Sequence, residues 1–150
     1  MWPGRTSFKT GVFSKCMGLA KEQRGANRHS AFTGPRRVGT VPGMVSSFTL
    51  CTIPDESRAL REIYRVLRPG GSLHFVEHGL SPDAGVTKWQ HRIEPFNRKL
   101  FGGCHLTRAH DDALLAAGFV IDRLDKSYTK GPKPYTFHYI GTARKPLPSA

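Results

Sequence analysis

Two short stretches of this 150-residue chain hold the residues best placed to do chemistry. One is Phe48-Thr49-Leu50-Cys51-Thr52, at the end of a β-prone run that begins at Met44. The other is Glu77-His78-Gly79, which closes the apolar run Leu73-His74-Phe75-Val76. A carboxylate beside an imidazole above a strand end suits a general base or a polar lid. His78 reads equally well as a solvated loop histidine, and His74, alternating with Leu73 and Phe75, as a strand side chain. The cysteines (Cys16, Cys51 and Cys104) are odd in number, far apart and without a Cys-x-x-Cys pair. That pattern fits a reducing, cytoplasmic compartment and argues against a disulfide framework or a zinc site.

These stretches are positioned by the elements around them. Pro54 closes the first strand, and Asp55 is a good helix N-cap. From there Ala59, Leu60, Ile63, Val66 and Leu67 share one helical face, with Arg58, Arg61, Glu62 and Arg65 opposite. Pro69-Gly70-Gly71 stops that helix ahead of the second strand, Leu73 to Glu77. Strand, amphipathic helix and strand within about 30 residues make a βαβ unit with parallel strands and a right-handed crossover. Gly79 to Gly103 is an excursion with Trp89, Ile93, Phe96, Leu100 and Phe101 at near-helical spacing, interrupted by Pro95. A short helix opens at Thr107 or Arg108 and ends at Gly118. Phe119–Leu124 reads as a third strand and Tyr135–Ala143 as a fourth, antiparallel one. The expected spatial order is first, second, fourth, third, with both helices on one face and a frayed tail from Lys145. In such open α/β sheets small ligands bind beyond the carboxyl ends of the strands, where Phe48–Thr52 and Glu77–Gly79 lie.

Charge divides the chain. The formal net charge is +12, and residues 1–43 hold eight Lys/Arg against one acid, Glu22. That segment lacks a helical or strand period and is punctuated by turn formers, so it reads as a basic, disordered arm ahead of a folded domain over 44–150. Nucleic acid is a poor candidate partner, because the basic residues beyond Met44 are scattered among acids. No apolar run approaches a membrane span, and the first thirty residues lack the core of a secretory signal.

Ser46-x-x-x-Leu50-x-x-Ile53-Pro54-Asp55, followed by Leu60-Arg61-Glu62-Ile63-x-Arg65-Val66-Leu67-Arg68-Pro69-Gly70-Gly71, resembles a known pattern. It is that of the fourth strand, following helix and pre-strand turn of class I S-adenosylmethionine-dependent methyltransferases of the type 11 group. Glu77-His78, Trp89-Gln90, Pro95 and Phe101-x-Gly103-Cys104-x-Leu106-Thr107-Arg108 resemble the methyltransferase-like 7 subgroup, which is similar to alkyl-thiol methyltransferases. The resemblance runs from Met44 to Lys145.

It implies the carboxyl-terminal half of a doubly wound, Rossmann-like α/β domain acting on a small-molecule methyl acceptor, with S-adenosyl-L-methionine as cofactor. By the same resemblance, Thr49, Leu50 and Cys51 line the methionine end of the cofactor, and Glu77 and His78 face the transferred methyl group. Trp89, Phe101, Cys104 and Thr107 match the insert that forms the acceptor pocket. Trp89 and Phe101 also read as packing residues. Cys104 also reads as a small buried one, because direct methyl displacement needs no covalent enzyme intermediate; nor does it need a metal. The family's Glu/Asp-x-Gly-x-Gly-x-Gly loop has no counterpart in residues 1–43. The expectation is therefore an incomplete methyltransferase domain prone to self-association through an exposed sheet edge. The alternatives are a non-catalytic truncated fragment and a basic-arm binding module.

Overall fold

The computed structural model describes residues 38–100 and 102–148. Alternation along Leu67–His78 (β2) organises the sheet: Leu73, Phe75 and Glu77 are buried on one face, while His74 is exposed and Val76 and His78 are half-buried on the other. β2 pairs in parallel with Val41–Ser47 (β1) and antiparallel with Phe137–Arg144 (β4), which in turn pairs antiparallel with Val120–Tyr128 (β3). The order β1-β2-β4-β3 is the one that the sequence predicts. Between β1 and β2 runs helix α1, Glu56–Val66, capped as expected by the Asp55 carboxylate, which accepts from the Arg58 amide at 2.8 Å. Helix α3, His110–Ala116, precedes β3. Leu60 and Ile63 of α1 and Leu114 of α3 enter one cluster with Leu73, Phe75, Tyr139 and Ala143. The two helices thus cover the same face of the sheet, as consecutive right-handed crossovers in one direction require.

Several boundaries move. β1 begins at Val41, and the amides of Gly39 and Thr40 already bond the carbonyls of Arg65 and Val66, so the attached region starts before Met44. The remainder of the expected arm, residues 1–37, lies outside the described residues. The Pro69-Gly70-Gly71 turn is absorbed into the start of β2, with Gly70 at φ 75°. The 79–103 excursion holds an unbroken helix, α2, Ala84–Leu100, with Pro95 inside it. Proline costs one intrahelical bond; buried Gln90 and Asn97 anchor the helix on either side of it. A four-residue turn of helix, Lys133–Thr136 (α4), occupies the start of the expected fourth strand.

The tail is tied rather than frayed at Lys145. Its backbone bonds Gly70 and Gly71, and its ammonium caps the carbonyls of Tyr64 and Leu67 at 2.8 and 3.0 Å at the end of α1. Among the described residues no helix is long and apolar enough to cross a membrane.

Gly141, at the centre of β4, lies hard against both neighbouring strands. A Cβ there would sit 2.4 Å from the Arg123 carbonyl oxygen and 2.8 Å from Phe75 Cζ. Gly141→Ala is expected to destabilise the fold by about 1–3 kcal/mol, read from the urea midpoint. An unchanged midpoint would show that β3 and β4 are not packed this closely.

Candidate active site

The carboxyl ends of β1 and β2 meet through Glu77. Its side chain is fully buried. Oε1 accepts from the Ser46 hydroxyl at 2.6 Å and the Thr49 amide at 3.1 Å, while Oε2 accepts from the Cys51 amide at 3.0 Å. One carboxylate at the end of β2 therefore holds the loop that follows β1. The loop's turn is sharp: Phe48 is the only non-glycine with positive φ (50°) among the described residues, in a region that favours glycine. Its ring lies 4.6 Å from that of His78.

Beside this loop three residues distant in sequence converge. The Cys51 and Cys104 sulfurs are 3.6 Å apart, and His78 Nδ1 stands 3.9 Å from the first and 3.6 Å from the second. A proton shared between the two sulfurs drives their acidities apart. The bond to Cys104 raises Cys51, reinforced by burial and by the Glu77 charge. The bond from Cys51 lowers Cys104 against its burial, helped by His78 alongside. Behind His78, with ring centroids 4.8 Å away, lies His138, buried with its Nδ1 unpartnered. Burial, then the proximity of His78, lowers His138 to about 4.

Buried polar side chains fix the backbone around all three. Besides Glu77 at Cys51, His110 Nε2 bonds the His78 carbonyl at 2.7 Å and Asn97 Nδ2 donates to the Cys104 carbonyl at 2.7 Å. The His105 amide donates to the Cys51 carbonyl at 2.7 Å, tying the two cysteine loops together.

His110 reaches two acceptors at once, since its Nδ1 is also 2.5 Å from Glu56 Oε1. Burial alone would lower its pKa, but the hydrogen bond and charge of Glu56 outweigh that and leave it raised. Its other neighbours are Arg108, which shares Glu56 at 3.7 Å, Glu77, and the Tyr139 ring at 5.5 Å. A histidine with a raised folded pKa contributes stability fully below the ordinary value of about 6.5, and loses it as pH rises through the folded pKa. Unfolding free energy should therefore fall from pH ~6.5 into the alkaline range, and His110→Gln should flatten that slope. A slope unchanged by the substitution counts against a charged His110.

The expected site residues separate into distinct environments. Thr49 offers its amide to Glu77 and its hydroxyl to the Ser47 carbonyl at 3.1 Å. The Leu50 side chain turns into the main core, leaving its carbonyl to Arg108. Cys51, His78 and Cys104 stand together. The Thr107 hydroxyl donates to Glu94, which also accepts from His105 at 2.9 Å. Trp89 is neither core nor enclosed: it is 58% exposed, with the Arg92 guanidinium 5.8 Å over its ring. Its neighbour Gln90 points inward instead, with Oε1 accepting from the Ser81 amide and Nε2 donating to the Gly79 carbonyl, each at 3.0 Å. Successive helical residues point about 100° apart, so one of the pair had to face out. Phe101 lies outside the described residues. Sequence reading also passed over Asn97, His110 and His138, isolated polar residues that no periodicity distinguishes. Next to the cluster, a hollow of about 400 Å³ is lined by Thr52, Pro54, Pro95, Arg98, Lys99, Gly103 and His105.

Known proteins share both sequence and fold. A methyltransferase domain family model matches residues 19–75, beginning upstream of Met44. The chain is 40% identical to human thiol S-methyltransferase TMT1A over 83 residues, 54% of this chain and 34% of the relative. It is 39% identical to rat thiol S-methyltransferase TMT1B over 66 residues, 43% of this chain and 27% of that protein. The chain thus spans about a third of the length of the curated relatives it matches. A SAM-dependent methyltransferase from Methanosarcina mazei superposes with a TM-score of 0.61 at 18% identity, over 89% of this chain and 79% of the other. The [4+2]-cyclase SpnF gives 0.60 at 21%, over 89% and 62%. At such identities these likenesses speak for the fold alone. Sequence motifs, the family model and the sheet topology thus agree in likening this chain to S-adenosylmethionine-dependent methyltransferases.

Proposed function

We propose that the domain to which this chain contributes transfers a methyl group from S-adenosylmethionine to a small thiol. The observation that carries the reading is the Glu77-held loop Thr49–Cys51, which brings Cys51, Cys104 and His78 to the carboxyl ends of β1 and β2. Ligands of open α/β sheets bind at that end, and the sequence relatives carry the name thiol S-methyltransferase.

In the step itself the acceptor sulfur attacks the sulfonium methyl in line. The new S–CH₃ bond forms as the old one breaks, and the thiol proton must leave. Thr49 and Cys51 offer loop backbone for the methionine end of the cofactor. His78, half-buried with Nδ1 among the sulfurs, is the group placed to receive the proton. Glu77 acts as a positioning residue rather than as a base, because both its oxygens are already engaged. The acceptor enters by the hollow beside Thr52 and Gly103, near Cys104; Trp89, Phe101 and Thr107 belong to the same insert in sequence, with Trp89 facing a separate hollow on α2. The cysteine usage suits the cytoplasm. β1, outermost among the described strands, with Val45 76% exposed, is the surface for self-association.

A chimaera tests this. Residues 38–145, which carry β1 whole, replace the corresponding segment of human TMT1A, and labelled methyl transfer to a small alkyl thiol is followed. The expected result is cofactor-dependent methylation that falls ~10²–10⁴-fold on His78→Ala, the range for loss of a general base. A folded chimaera that binds cofactor yet methylates no thiol would overturn the acceptor assignment.

A further inference from the structure

We infer that Cys51, Cys104 and His78 form a binding site for a borderline-soft divalent cation of the zinc class. Zinc takes sulfur at about 2.3 Å and imidazole nitrogen at about 2.0–2.1 Å in a tetrahedron, which places two sulfurs about 3.8 Å apart and each sulfur about 3.6 Å from the nitrogen. The three distances here are 3.6 Å between the sulfurs and 3.6 and 3.9 Å from Nδ1 to each of them. All three donor atoms lie within 4.8 Å of one another. An ion seated between them needs no rearrangement of the backbone.

The surroundings are those of a built site. The ligands come from three separate segments: the loop after β1, the end of β2, and the loop after α2. Each is held by a different buried polar side chain. Glu77 bonds the Cys51 amide, His110 the His78 carbonyl and Asn97 the Cys104 carbonyl. Such outer partners fix ligand orientation in metal sites. The Phe48 ring, 4.6 Å from that of His78 and carried on a backbone at φ 50°, packs against the imidazole from a further side. Two thiolates and one imidazole leave a fourth position open, the ligand count of catalytic rather than structural zinc. That position suits a water or a small thiol. A thiol bound there would lose its proton to solvent, so His78 would serve as ligand instead of base. The site rests on its own geometry and bears on the methyl-transfer reading only through the role of His78; metal binding can fail while the chimaera methylates thiols, and the reverse.

The test is cobalt titration of the full 150-residue chain carrying Cys16→Ser, reduced and freed of metal beforehand. The expected result is a thiolate-to-cobalt charge-transfer band that saturates at one equivalent, with tetrahedral ligand-field bands that zinc abolishes. Cys104→Ser and His78→Ala should each remove it. Asn97→Ala, which leaves every ligand in place, should weaken binding ~10–100-fold, with circular dichroism checking that each variant keeps its fold. No charge-transfer band, a band that survives Cys104→Ser, or loss of both thiols to a Cys51–Cys104 disulfide without retained metal would overturn the assignment.

Discussion

Glu77→Ala will destabilise the fold by about 3–5 kcal/mol, the range seen when one partner of a buried charged network is removed. Hydrogen bonds to a charged acceptor are each worth about 1.5–3 kcal/mol, and the donors left behind on buried Ser46 and Cys51 are the costly ones. Three donors lose their acceptor at once: the Ser46 hydroxyl and the amides of Thr49 and Cys51. Small domains have only about 5–15 kcal/mol in hand, so the loss takes a large share of it. Glu77→Gln should cost less, because the side chain keeps its bulk and one acceptor oxygen, but it turns an NH₂ toward donors and cannot be neutral. Urea unfolding supplies the free energies. Hydrogen exchange supplies the location, since the amides of Thr49 and Cys51 should lose protection before those of β4. If alanine lies within ~1 kcal/mol of the parent, the carboxylate does not hold the loop as described.

Glu77 also marks the limit of what the sequence made legible. Its place at the end of a strand could be read from alternation, because a period of two is a local property of Leu73–Glu77. Its three partners could not, since they follow from the parallel register that sets Ser46 beside Phe75 and Ser47 beside Val76. The βαβ unit, the strand order and the shared face of α1 and α3 were legible for the same local reason. Asp55, the Leu60-Ile63-Val66 stripe and the turn formers each act within a few residues. Helix α2 was misjudged at Pro95 because a proline penalty is local while the anchors that outweigh it, Gln90 and Asn97, find their partners outside the helix. Trp89 was misjudged because apolar spacing reveals a stripe without showing whether anything covers it; Phe96 and Leu100 on the same helix are 70% and 74% exposed. The cysteines illustrate the sharpest failure. Spacings of 27 residues from Cys51 to His78 and 26 from there to Cys104 match no metal motif, yet the crossover and the α2 excursion return the chain to one point.

Titrated with S-adenosylmethionine, the 150-residue chain on its own is expected to bind more weakly than about 1 mM, some 4 kcal/mol short of a micromolar site. On the proposed reading, the described residues would offer the cofactor one end only, the Thr49–Cys51 loop beside His78. The adenosine end of such cofactors is held by a glycine-rich loop, whose missing side chains let the backbone approach, and by a carboxylate on the ribose hydroxyls. Residues 1–43 contain no Glu/Asp-x-Gly-x-Gly-x-Gly, and their single acid is Glu22. Two or three contacts at the methionine end do not offset the loss of translational and rotational freedom on binding. Monomeric protein must be isolated first, because β1 presents an unpaired edge among the described strands and an exposed Val45. Isothermal titration on that fraction decides the matter. A micromolar dissociation constant at one site per chain would mean that residues upstream of β1 supply an adenosine-binding surface their sequence does not advertise. Heat that never saturates, alongside an active chimaera, would place the missing contacts in the segment that the relative provides.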